Sequence, residues 1–194
     1  MRSLLTFITA FVLALSLGLG SAWYMIANGS PLTTGHIGSW SVWYAVGNPD
    51  ADPYTKAYLA RTGRLPITST SALYYHASED ESGEPLISVC DYVIDGEPID
   101  AAWWSLAAYT GAGRLIPNKA GRYSFNKNDI IRRPNGDFRI TLASSARSGN
   151  WLPTADSEEI QLVLRVYGPR NNNNAIKGRL LERFLPTIRK AGCQ

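Results

Sequence analysis

Four carboxylates, Asp91, Asp95, Glu97 and Asp100, form the densest acidic group in the chain, and a pair of carboxyl groups is the working unit of glycoside hydrolysis. They flank the turn Asp95-Gly96-Glu97-Pro98, however, where Asp and Glu serve equally well as solvated turn formers. The chain holds two histidines, His36 and His76. That excludes a multi-histidine metal site, and a histidine-based triad would have to use His76. No Gly-x-Ser-x-Gly elbow or phosphate-binding loop occurs, and Gly111-Ala112-Gly113 runs into Arg114-Leu115-Ile116 without the third glycine of a dinucleotide fingerprint. No metal, no cofactor and no assigned catalytic residue follow from these residues, so the chain reads as a binding protein before it reads as an enzyme.

Ligand binding has better candidates. Trp104, Tyr109, Tyr123, Trp151 and Tyr167 could line a groove in which rings stack on a flat ligand, although alternation along strands turns half of such rings into the core. Arg122 and Arg165 stand in apolar runs, where a guanidinium calls for a carboxylate or an anionic ligand. The structural reading, an ion pair with Asp91 or Asp80, is preferred over anion binding. In Ser148-Gly149-Asn150-Trp151-Leu152-Pro153-Thr154 the expectation is a fixed turn: the Asn150 side chain bonds neighbouring backbone and Trp151 is the large buried anchor. Cys90 and Cys193 are the only cysteines. One disulfide between them is chemically allowed in an oxidising compartment, and the alternative for Cys90 is a small buried apolar residue.

The elements that must position these residues are mostly strands. After Pro66, short apolar runs at 72–77, 86–94, 101–110, 122–126, 138–143 and 160–167 are separated by turn residues, which predicts an antiparallel, jelly-roll-like β-sandwich. A further strand is expected around 39–46. One short helix is predicted over 50–63, with Asp52 as N-cap, Pro53 at its first position and Gly63 at its end.

Residues 3–49 carry no charged side chain, and residues 4–27 are almost continuously apolar. At about 1.5 Å per residue such a helix spans the ~30 Å hydrocarbon core of a bilayer. Arg2 supplies the positive flank that stays in the cytoplasm, which places the rest on the outer side. The rival reading is a cleaved signal peptide with Gly20-Ser21-Ala22 at the cleavage site; either way the domain is exported. The basic excess, +3 overall, is local to the last twenty residues, and the remainder forms no basic face for nucleic acid.

The ordered series Trp103-Trp104-Ser105-Leu106, Tyr109, Asn118, Arg122-Tyr123-Ser124, Asn150-Trp151-Leu152-Pro153 and Leu164-Arg165-Val166-Tyr167-Gly168-Pro169 closely resembles a bacterial family known as domain of unknown function twelve-fourteen. The likeness runs from about Ser39 to Pro169, with Trp103 standing where the longer relatives have Phe. It implies a jelly-roll-like sandwich and no established reaction. It also implies a companion, the domain called twelve-fifty-four, which is fused in longer relatives and absent from this chain.

The organisation expected is a membrane anchor at 1–27, a linker at 28–38, a β-sandwich at 39–170 and a polar, basic tail at 171–194. The function expected is that of an inner-membrane-anchored periplasmic binding or assembly module that meets a companion protein. An envelope enzyme acting on carbohydrate or a small molecule, and a purely structural module, are the alternatives.

Overall fold

The computed structural model of the protein describes residues 2–154, 159–169 and 184–193. The polar hinge read at 171–174 and the basic turn read from 175 onward lie outside the described residues, Phe184 excepted.

Helix α1 (Arg2–Asn28) is 27 residues long and buries none of its side chains in the protein. It is long and apolar enough to cross a membrane. Strands β1 (Thr34–Ile37) and β2 (Trp40–Trp43) follow as a hairpin, with Gly38 at φ 56° in its turn. The sheet therefore reaches into the segment read as linker, because a glycine there can take the left-handed conformation a tight hairpin requires. Helix α2 (Pro53–Thr62) begins as its sequence dictates: Asp52 Oδ1 accepts from the backbone N–H groups of Tyr54 at 2.9 Å and Thr55 at 3.0 Å. It ends at Gly63, φ 65°, whose N–H donates to the Leu59 carbonyl.

The remaining strands are β3 (Ala72–Ala77), β4 (Cys90–Gly96), β5 (Ala101–Thr110), β6 (Ser124–Asn126), β7 (Phe138–Ala143), β8 (Asn150–Pro153), β9 (Ile160–Pro169) and β10 (Thr187–Cys193). They form a six-stranded sheet, β1-β2-β3-β9-β5-β6, and a four-stranded sheet, β10-β4-β7-β8. The protein is thus mainly β, as the spacing of apolar runs predicts. Inward residues of β9 (Leu162, Leu164, Val166) and β5 (Trp104, Leu106, Ala108) meet Tyr92, Ile94, Ile140 and Leu142 of the smaller sheet in one core. Trp104 and Phe138 stack across it, ring centroids 5.0 Å apart.

Three sequence expectations change. The Asn150-Trp151-Leu152-Pro153 run is a strand, not a turn, and it pairs parallel to β7. Because β8 is only four residues long, the short bent return through 144–149 can bring the chain back beside the start of β7 without a helical crossover. Leu152, fully buried, is its anchor, while Trp151 is half-buried. In the run at 86–94, strand geometry begins only at Cys90, since the Cys90 N–H closes a turn onto the Ile87 carbonyl at 3.2 Å. In the run at 122–126 it begins at Ser124, because the Asn118 side chain bonds both the N–H and the C=O of Arg122.

The last described strand is part of the fold. Thr187–Cys193, within the stretch read as tail, pairs with β4, and a Cys90–Cys193 disulfide joins the two strands. Ile188 is fully buried, and the Pro186 carbonyl accepts from the buried Trp40 Nε1 at 2.7 Å, tying the larger sheet to the last strand.

Candidate functional site

Alternation sends the apolar half of β3, β5 and β9 into the core and leaves the other half on the outer face of the six-stranded sheet. On β3 that outer set includes Tyr74 and His76; on β9 it is Gln161, Val163, Arg165 and Tyr167; on β5 it includes Tyr109. Strand register aligns them: Tyr74 lies opposite Arg165, His76 opposite Val163, and Tyr109 opposite Gln161. These side chains floor an open groove of about 970 Å³. Its walls are α2, the loop after it, the β1–β2 hairpin and the last residues of α1.

One wall is pinned by ring stacking. Trp43 on β2 and Tyr58 on α2 lie 4.1 Å apart at 12°, a contact that fixes the helix against the hairpin. Gly63 then turns the chain so that Arg64 enters the groove. Its guanidinium donates to the Tyr58 hydroxyl, to Gln161 Oε1 at 3.1 Å, and to His76 Nε2 at 3.0 Å. A guanidinium can only donate, so Nε2 must be the acceptor and the imidazole proton sits on Nδ1. That Nδ1 is buried and meets no partner among the described residues. Burial, reinforced by the positive charges of Arg64 and Arg165, pushes the His76 pKa down to about 3. His76 is therefore a neutral group at physiological pH and a weak base.

Arg165 donates to the Tyr109 hydroxyl at 2.8 Å and lies over the Tyr109 ring, 5.5 Å from its centroid. No carboxylate among the described residues pairs with Arg64 or Arg165. The described residues that line the groove include Arg61, Arg64 and Arg165 and not one Asp or Glu. Burial raises the Tyr58 pKa in spite of Arg64, and it also raises that of Tyr167, so both hydroxyls stay protonated donors. The arrangement presents positive charge and hydroxyl donors on an aromatic floor. It can hold an anion.

Of the candidates read from sequence, Tyr109, Arg165 and Tyr167 come together here. Trp104 does not: it is a fully buried core ring. Asn150 is buried and structural, with Oδ1 accepting from Ile131 N and Nδ2 donating to the carbonyls of Ile131 and Arg139, each at 2.8 Å. Arg122 is exposed and donates to the Trp151 carbonyl at 3.0 Å, Tyr123 is 38% exposed, and none of the three lines the groove. The ion pair expected between these arginines and Asp91 or Asp80 does not occur among the described residues, where both carboxylates have other partners. Asp91 pairs with Arg147 at 2.6 Å, and Asp80 accepts from the backbone of Ser82 and Glu84.

Asp95 binds Arg139 and Arg189, each at 2.7 Å. Burial opposes its ionisation, but those hydrogen bonds prevail and hold its carboxyl below the usual value. Two of the four carboxylates that could have formed a hydrolytic pair are thus bound in ion pairs. Ser41 Oγ, the groove serine nearest in register to His76, donates to the backbone carbonyl of His76 and not to its ring, so the two form no catalytic couple. Among the described residues no group of three or more His, Cys, Asp or Glu could hold a metal ion.

Sequence reasoning missed Arg64, Tyr58 and Gln161. Their signal was faint: a cation directly after a helix-ending glycine, and polar residues at alternate positions of two apolar strands, interrupted on β9 by Val163.

A sequence model of the family described as "Protein of unknown function (DUF1214)" matches residues 71–171. That span contains the groove floor, while α2 and Arg64 lie before it. The fold is similar to the crystal structure of the VPA0106 protein from Vibrio parahaemolyticus, with a TM-score of 0.59 at 21% identity, over 73% of this chain and 36% of that one. A putative uncharacterized protein from Burkholderia cenocepacia aligns at 19% identity and a TM-score of 0.46, over 93% of this chain and 52% of that one. The chain thus spans about a third to a half of the length of the solved structures it matches. No curated protein matches it.

Proposed function

The chain belongs to the family described as Protein of unknown function (DUF1214), and on that premise we propose a non-enzymatic, membrane-anchored binding module that faces the periplasm and holds a small anionic ligand in the groove above the six-stranded sheet. The observation that carries this reading is the convergence of Arg64 and Arg165 in one groove with no carboxylate among its described lining residues. No carboxylate among the described residues pairs with either guanidinium, and a guanidinium in a partly desolvated site favours an anionic partner. The hydrogen bonds to Tyr58, Gln161, His76 and Tyr109 hold both groups in place, so a ligand meets a preorganised pair.

The anchor and the export rest on α1, on Arg2 as its positive flank, and on the disulfide, which suits an oxidising compartment. Association with a companion envelope protein is supported by the proportions of the similar Vibrio structure, in which this fold accounts for 36% of a longer chain. Recovery from mild detergent as a lone monomer, with the companion protein in the same extract, would count against that association. The neutral, very weakly basic His76 and the ion-paired Asp91 and Asp95 favour binding over hydrolysis.

The binding claim is tested by calorimetric titration of the full-length protein in dodecyl maltoside with inorganic phosphate. Saturable binding is expected, weakened at least about tenfold in Arg64→Gln and in Arg165→Gln, since a charge-assisted hydrogen bond contributes roughly 1.5–3 kcal/mol.

A further inference from the structure

The groove opens beside the end of the apolar helix. Its lining includes Ala27 and Asn28, the last two residues of α1, so its wall begins where the span ends. An apolar stretch from residue 4 to residue 27, at about 1.5 Å per residue, slightly exceeds a ~30 Å hydrocarbon core. Trp23 and Tyr24, 61% and 64% exposed, then fall at the outer interface, the depth such rings prefer. The Arg61 guanidinium lies 5.1 Å from the centre of the Trp23 ring, which holds the C-terminal end of α2 at the same depth.

Directly after that point the chain exposes aliphatic side chains. Leu65 is 95% exposed and Ile67 46%, and both line the groove; Leu32, in the loop leaving α1, is 86% exposed. Scattered surface leucines need no explanation. Here they coincide with the end of a membrane-spanning length of helix, with a cation stacked on its interfacial tryptophan, and with the rim of a cationic groove.

Resting on the anion-binding reading above, we infer that the ligand is an amphiphile with an anionic headgroup that enters from the outer leaflet. Arg64 and Arg165 bind the headgroup, and the aliphatic tail leaves over the Leu65–Ile67 rim beside α1. The rim loop sits among the lipid headgroups with its leucine and isoleucine turned to the acyl boundary. A free phosphate or carboxylate shares the headgroup chemistry but has no use for the apolar rim, and that difference separates the two sources.

The test uses the full-length protein in dodecyl maltoside. Native mass spectrometry follows retention of dioleoylphosphatidylglycerol against dioleoylphosphatidylcholine, and calorimetry follows inorganic phosphate. The inference predicts retention of the anionic lipid over the zwitterionic one by about tenfold or more. It further predicts that Leu65→Gln/Ile67→Gln lowers phosphatidylglycerol retention at least about fivefold, a larger factor than any loss of phosphate binding. Leu65 is almost wholly exposed, so Leu65→Gln alone serves as a control free of folding effects. Arg64→Gln/Arg165→Gln should weaken both ligands. Equal retention of the two lipids, or retention unaffected at the rim, overturns the membrane route while phosphate binding leaves the anion groove standing. Failure to bind either lipid or phosphate overturns both.

Discussion

At His76 a neutral imidazole faces two guanidinium groups, Arg64 within hydrogen-bond reach and Arg165 on the neighbouring strand of the same groove floor. Unfolded, it takes up a proton as the pH falls through 6.5; folded, it does so only near 3. The unfolded chain therefore binds more protons in that window, and stability must fall as the pH falls, by at most about 1.4 kcal/mol per pH unit. Urea unfolding across the window should show this slope, and His76→Gln should flatten it; an unchanged slope would place the titration elsewhere. Asn150 makes the second residue-level claim. Asn150→Ala strands one part-buried N–H and two carbonyls, and is expected to cost about 1–3 kcal/mol in chemical denaturation. Full stability would deny the structural role. Both residues were visible in the sequence, Asn150 as a structural residue and His76 as one of two histidines, but their partners were not. Ile131 and Arg139 lie 19 and 11 positions from Asn150, and only the docking of α2 on the folded sheet brings Arg64 to His76.

Strand β10 shows how an element closes the smaller sheet from far away in sequence. Its disulfide joins positions 103 residues apart, and a loop of that length implies stabilisation of about 4–5 kcal/mol through the unfolded chain. Reduction, or Cys193→Ser, should lower the urea midpoint accordingly; an unchanged midpoint under reductant would contradict the bond's contribution. The element pattern was legible where periodicity was strong. Strands β3, β5 and β7 follow from apolar runs bounded by turn residues, and helix α2 from its capping residues. Strands β1 and β10 were not, because four residues with a glycine, or a run of Arg, Lys and Gly with one inward isoleucine, carry almost no pattern. Asn150–Pro153 was distinctive as sequence but silent about its parallel partner, since register between strands is a property of the sheet.

For the whole molecule, a single apolar helix, a two-sheet sandwich and a cationic groove at their junction make one arrangement. If α1 is the anchor, mass spectrometry of protein purified from membranes should find residues 1–27 intact; a mature chain starting at Trp23 would end the anchor reading and the lipid route with it. The site itself was half legible. Arg165 and Tyr109 could be named from sequence, but their companions Tyr58 and Arg64 come from α2 and the loop that follows it, and only packing of that helix against β2 brings the two groups together. The central claim is that this packing builds an anion site. Titration of the full-length protein with inorganic phosphate, compared with Arg64→Gln/Arg165→Gln, tests it most directly. The account predicts saturable binding that the double variant loses by about a hundredfold at unchanged thermal stability, roughly tenfold for each arginine. Equal binding by the two proteins, or no binding by either, would contradict it.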